Sequence, residues 1–277
     1  MRLSGWLSGS HATPGSWIAA VKNAGYRAAL WPLALDAGDA EVQAYAQVAR
    51  EADILIAEVG VWNNPLAPNP LLRQAALEKC KQGLKVADKI GALCCVNIAG
   101  SRSELWDGPH PDNLTEETFG MIVVSVRDII DSVNPTRTFY TLETMPWMYP
   151  DSPDSYLRLI EAVDRPAFAA HFDPVNLISS PQRYFHNGPF LRECFEKLGP
   201  YIKSCHAKDI ILRDHLTVHL DEVPPGQGSL DYATFITELA KLDDNIPLII
   251  EHIRPEEITP AVDYLRAVAE RVGVDLG

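Results

Sequence analysis

Short apolar runs alternate along the chain with longer stretches in which apolar residues return every three or four positions. The short runs fall at residues 3–7, 26–31, 54–59, 92–98, 138–143, 167–173, 202–208 and 247–251. They are apolar on both faces, as parallel strands covered by helices on the outside must be. The helical stretches fall at residues 17–23, 40–51, 70–89, 116–132, 155–164, 190–198, 232–242 and 261–272. Start and stop signals frame several of them. Thr115 precedes two acidic residues in a first turn, Ser152 precedes Pro153 and Asp154, and Gly25 and Gly91 stand just past two helices. Strict strand–helix alternation of this kind predicts an α/β chain folded as a (β/α)₈ TIM barrel, with residues 1–277 forming a single domain. A doubly wound open sheet obeys the same alternation, but no glycine-rich phosphate loop follows the first strand.

Three connections are long, at residues 61–69, 100–115 and 209–230, and they are rich in Pro, Gly, Trp and His. Loops of that length in an otherwise regular chain are expected to cover a ligand.

In a barrel the C-terminal ends of all strands surround one mouth. Four successive strands carry side chains able to ligate a metal at or near those ends: Glu143, Asp173, His206 and Glu251, separated by 30, 33 and 45 positions. Three carboxylates buried together without a cation repel one another strongly and take up protons. The spacing therefore points to one divalent metal ion held by all four. The oxygen-rich set suits Mn²⁺ first, with Mg²⁺, Co²⁺ or Zn²⁺ as alternatives, although Zn²⁺ would more often recruit a second His or a Cys.

The net charge of −13 and the lack of any Lys/Arg-rich run argue against nucleic acid as a partner. No apolar run is long enough to span a membrane. Five cysteines, Cys80, Cys94, Cys95, Cys194 and Cys205, are an odd number without CxxC spacing, which reads as buried thiols in a reducing cytoplasm.

The segments Leu142-Glu143, Phe172-Asp173-Pro174-Val175-Asn176, His206-Ala207-Lys208-Asp209, Pro225-Gly226-Gln227-Gly228 and Ile250-Glu251-His252 resemble, in this order and over essentially the whole chain, the xylose-isomerase-like barrel superfamily of sugar isomerases, epimerases and AP endonucleases. The resemblance implies that Glu143, Asp173, His206 and Glu251 are the ligands, and that Glu143 and Glu251 also exchange substrate protons. A cation chelating a carbonyl and the neighbouring hydroxyl acidifies the C–H between them and stabilises an enediolate, so a carboxylate on each face can act as base and acid. The resemblance also implies a homo-oligomer, a dimer or tetramer. One position departs from the epimerase pattern: Asn176 stands where a His is usual. The expected activity is a metal-dependent sugar or keto-sugar isomerase or epimerase. The alternatives are a lyase or decarboxylase acting on a 3-keto sugar or sugar acid, and a non-catalytic sugar-binding barrel.

Around this centre, Glu58, Trp62, Asn97, His110, Trp147, Asn176 and Lys208 are candidate substrate contacts, because they lie at strand ends or in the long loops. Asp209 is expected to orient His206 from behind. His252 is expected to face the helices, since it alternates with Glu251.

Overall fold

A computed structural model describes residues 1–7 and 12–276. In chain order the elements are β1 (Arg2–Gly5), α1 (Pro14–Asn23), β2 (Ala28–Leu30), α2 (Asp39–Glu51), β3 (Leu55–Gly60), α3 (Pro70–Ile90), β4 (Cys94–Asn97), α4 (Glu116–Val133), β5 (Phe139–Glu143), α5 (Pro153–Val163) and β6 (Phe168–Phe172). They continue with α6 (Pro174–Leu177), α7 (Pro181–Phe185), α8 (Asn187–Leu198), β7 (Ile202–Ala207), β8 (Asp209–Leu212), β9 (Leu220–Val223), α9 (Tyr232–Leu239), β10 (Pro247–Ile250) and α10 (Ile258–Val272).

Each strand anticipated from the apolar runs is present. The helices begin where local chemistry permits. Thr13 caps α1 with Pro at its first turn, Asn69 caps α3, and Ser152 caps α5 with a reciprocal bond from Ser155. Gly91 closes α3 in the left-handed region at φ +75°.

Eight parallel strands pair in the order β1-β10-β7-β6-β5-β4-β3-β2. The remaining seam is joined by the Arg27 N–H donating to the Leu3 carbonyl at 3.1 Å, so the sheet is a nearly closed (β/α)₈ barrel. Its main core lies between strands and helices and includes Trp17, Tyr45, Leu84, Phe172 and Phe235. A much smaller set, Ala28, Ala57 and Ile249, forms a separate buried cluster drawn from β2, β3 and β10.

Two register shifts decide what points inward. Between β2 and β3, Ala29 pairs with Ile56 and Leu30 with Glu58, leaving Ala57 as the extra residue. Between β6 and β7, Ala170 pairs with Ile202 and His171 with Ser204. Each bulge breaks the two-residue alternation and re-aims the side chains after it.

The seventh connection, residues 209–230, holds a structure not anticipated from the sequence: β8 and β9 pair antiparallel as a hairpin. The run Asp209-Ile210-Ile211-Leu212 follows β7 after one residue, so in sequence it reads as the continuation of one strand followed by a loop. The short helices α6 and α7 have no counterpart in the sequence pattern either. Each is barely more than a turn, too short to show a period.

Candidate metal centre

The ends of β5, β6, β7 and β10 place four side chains around one point. Glu143 is the last residue of β5, Asp173 follows β6, His206 lies in β7, and Glu251 follows β10. Their ligating atoms all fall within 4.8 Å of one another. His206 Nδ1 stands 2.9 Å from Glu143 Oε1, 2.9 Å from Glu251 Oε2 and 3.6 Å from Asp173 Oδ2. Glu143, Asp173 and His206 are buried.

Local structure fixes each group. Asp173 caps α6, its Oδ1 accepting from the N–H groups of Val175 and Asn176 at 2.9 and 3.2 Å, which leaves Oδ2 turned to the centre. Thr144 locks β5 to β6 by donating from Oγ1 to the Asp173 carbonyl (2.8 Å) and accepting from the Asp173 N–H (3.0 Å). Asn176 donates to Glu143 Oε1 at 3.3 Å and to the Thr144 carbonyl at 3.1 Å.

Lys208 is drawn into the same cluster. Its side chain is 2% exposed, with Nζ 2.8 Å from Asp173 Oδ2 and 2.7 Å from Glu251 Oε2. Despite these short distances, neither Asp173 Oδ2 nor Glu251 Oε2 is aligned for a hydrogen bond. Oxygens that converge on a shared point instead of facing individual donors suit a spherical cation. The donor set of three carboxylates and one imidazole fits a hard divalent ion.

The charges are tightly interdependent. Burial pushes the Glu143 carboxyl above its ordinary value, although His206 and Lys208 pull against it. Burial acts on Asp173 and Glu251 in the same direction. There the adjacent Lys208 and His206 outweigh it and hold both carboxyls well below the usual range. Burial disfavours the charged imidazole and ammonium, yet Glu251 and Glu143 raise His206, and Asp173 and Glu143 raise Lys208.

Behind this centre sits a second buried group. Glu58 Oε1 lies 2.8 Å from His171 Nδ1, and His171 Nδ1 lies 2.5 Å from Ser204 Oγ. The His171 and His206 rings meet edge to face at 4.0 Å. Glu58, His171 and His206 also bring ligating atoms within 4.8 Å of one another, so His206 belongs to both groups. The bulge at Ala57 is what lets Glu58 reach inward.

A cavity of about 640 Å³ opens over the centre, with Glu58, His206 and Glu251 in its floor and Trp6, Trp31 and Trp62 in its walls. The Trp62 ring centre is 6.4 Å from that of His206. A smaller cavity of about 340 Å³ between Asn64 and Trp106 contains none of the clustered ligands.

Of the candidate substrate contacts, Glu58 and Trp62 line the large cavity, and Asn176 and Lys208 touch the clustered carboxylates. Three others serve the loops. Asn97 turns toward α3, accepting from the Asn63 N–H at 3.1 Å and donating to Cys80 Sγ at 3.4 Å. His110 accepts the Asp112 N–H at 3.2 Å and so caps the short turn Pro111–Leu114. Trp147 donates from its ring N–H to the Asp107 carbonyl at 2.8 Å.

Asp209 does not orient His206. Its carboxylate accepts four backbone N–H groups, from Ile210, Gly226, Gly228 and Leu230, at 2.8–3.0 Å, and thereby shapes the seventh loop. The glycines are required there: Gly226 has φ +90°, and a Cβ on Gly228 would lie 2.4 Å from Asp209. His252 does not face the helices. Its φ of +51° takes it out of the strand, and it lines the cavity with Nδ1 2.9 Å from Glu222 Oε1 and Nε2 3.5 Å from Glu251 Oε1. Sequence reading missed Glu222 because it missed β9, and it missed Trp6 and Trp31 because a wall residue has no pattern of its own. All five cysteines are buried and free.

The family model for the xylose isomerase-like TIM barrel matches residues 18–268. The chain belongs to that family. Among solved structures it is similar to endonuclease IV from Thermus thermophilus (TM-score 0.74, 14% identity, covering 98% of this chain and 100% of that one). It is likewise similar to D-psicose 3-epimerase from Clostridium cellulolyticum, solved with D-tagatose (TM-score 0.68, 14% identity, 97% and 99% covered). A third is a xylose isomerase-like TIM barrel protein from Mycobacterium smegmatis in complex with magnesium (TM-score 0.69, 16% identity, 96% and 91% covered). At these identities the likeness establishes the shared fold. No curated protein matches the sequence. No helix among the described residues is long and apolar enough to cross a membrane.

Proposed function

We propose that this chain is a divalent-metal-dependent isomerase or epimerase of a small keto sugar, with Glu143, Asp173, His206 and Glu251 as the metal ligands. The observation that carries the reading is the convergence of these four side chains, from four neighbouring strands, to within 4.8 Å. Mn²⁺ is the ion we expect, because three carboxylates and one imidazole form a donor set dominated by hard oxygen.

A divalent ion at this position supplies Lewis acidity to adjacent carbonyl and hydroxyl oxygens, which makes the C–H beside them acidic. The protein supplies the proton carriers and the enclosure. Glu251 lines the cavity, and Glu143 and Glu251 each stand 2.9 Å from His206 Nδ1, so that one can take the substrate proton and the other return it. Asn176 keeps Glu143 Oε1 oriented through its amide, in place of the titrating side chain usual at this position in epimerases. Trp6, Trp31 and Trp62 offer apolar faces to the C–H side of a sugar and keep water from the floor. The acidic chain and aromatic cavity favour a sugar over nucleic acid.

The test is incubation of the Mn²⁺-loaded protein with a panel of ketoses in D₂O. The expected outcome is deuterium on carbon in recovered substrate and in its isomer. A released fragment or a lost carbon would replace the reading with a lyase or decarboxylase. Sugar-dependent thermal stabilisation with no exchange and no product would make the chain a binding protein.

A further inference from the structure

The large cavity does not end at its wall. Trp31 and Gly60, which line it, also line a neighbouring cavity of about 430 Å³ between the β2–α2 loop and α3. Lys79 of α3 lines that second cavity and also the smaller one between Asn64 and Trp106. The space over the clustered carboxylates is thus one end of a groove that runs outward past the ends of β2 and β3. Gly60 stands where the first two cavities meet. A Cβ there would lie 2.6 Å from Trp62 Nε1, so the indole rests against bare backbone, and any side chain would push it off the strand end.

A single ketose is small for this space. A hexose displaces on the order of 200 Å³, at about 30 Å³ for each water it replaces, and so fills roughly a third of the 640 Å³ cavity before the groove is counted. Ligand cavities enclose most of what they bind. The groove is also mixed in character. Trp31, Leu33 and Leu35 give it apolar surface, while Asp36, Lys79 and Gln82 bring polar groups to the same space. Two of these are anchored: Lys79 Nζ donates to the Trp62 carbonyl at 3.3 Å, and Gln82 Nε2 to the Leu35 carbonyl at 3.0 Å. A sugar ring offers C–H faces to the first kind of surface and hydroxyls to the second. A hydrocarbon group would leave the polar groups without partners.

Resting on the isomerase reading of the metal centre, we infer that the substrate is a keto sugar joined by a glycosidic bond to a second sugar unit. The keto unit lies over the clustered carboxylates, and the second unit lies in the groove beyond Trp31 and Gly60. The second unit takes no part in making or breaking bonds. It contributes binding that is the same before and during the reaction, and it holds the keto unit in register with the centre.

The test measures deuterium uptake from D₂O, with the Mn²⁺-loaded protein, by fructose and by three disaccharides that end in a free fructose unit: lactulose, maltulose and isomaltulose. At least one disaccharide should exceed fructose by about tenfold in kcat/KM, the worth of one added pocket contact, mainly through a lower KM. Ala34→Trp, which fills the groove from the exposed side of the β2–α2 loop, should bring the two substrates to parity. If Ala34→Trp fails to fold, Asp36→Trp carries the same expectation. Saturation-transfer NMR on the Mg²⁺-loaded protein should show protons of both rings of the preferred disaccharide in contact with the chain. Exchange into fructose with no disaccharide preferred, a preference that survives the groove variants, or contacts confined to the fructose ring overturns the inference and leaves the isomerase reading standing. Absence of exchange into all four sugars and into the ketose panel would instead remove the isomerase reading, and this inference with it.

Discussion

The two halves of the barrel use the same strand–helix unit for opposite ends. In the half built from β5, β6, β7 and β10, every strand terminates in a charged or imidazole side chain that turns inward, and four of these meet. In the half built from β1 to β4, the strand ends give the cavity aromatic walls or hold loops. Trp6 and Trp31 follow β1 and β2, Trp62 follows β3, and Asn97 at the end of β4 faces away toward α3. Glu58 is the exception, and it needs a bulge to become one. A mouth divided this way places charge on one side and apolar surface on the other, an arrangement that suits the sugar proposed above.

Three experiments probe that division, in order of expected size. Glu251→Gln, on the charged side, should lower turnover by roughly 10³-fold while circular dichroism stays native, since it removes a proton carrier. Near wild-type turnover in that variant would take Glu251 out of the chemistry. Chelation should abolish activity and lower the melting temperature, and Mn²⁺ at about a hundred times its Kd should restore about 2.7 kcal/mol of stability. Full activity in metal-free protein would contradict this. Asn97→Ala, on the other side, should cost about 1–3 kcal/mol by orphaning the Asn63 N–H it accepts. Its kcat in the same assay should stay close to wild type; a collapse of kcat with unchanged stability would mean that the two halves are not divided as described.

Much of this is legible without the structure. The eight strands follow from apolar runs too short for helices, and Glu143, Asp173, His206 and Glu251 stand out because each lies at or near the end of such a run. Asp209 and His252 depart from expectation for one reason. Both lie past the last paired residue of a strand, where side-chain alternation no longer holds. Asp209 begins a new hairpin and His252 takes a left-handed conformation. His110 and Trp147 look like contacts because polar and aromatic loop residues often are. Their bonds to Asp112 and Asp107 depend on how the loop folds back, and no local spacing encodes that.

The sequence by itself determined the number of barrel strands, their order and the polar side chain at each of the four ends that converge, because hydrophobic period and chain order are local properties. Only the tertiary structure decided which of the remaining polar groups face the mouth. It brought Glu222 to Lys208 through a hairpin, Glu58 to His171 through a bulge, and Asp209 to four loop amides. Those outcomes are set by backbone dihedrals that distant hydrogen bonds hold in place, and a residue's near neighbours in sequence carry no record of them.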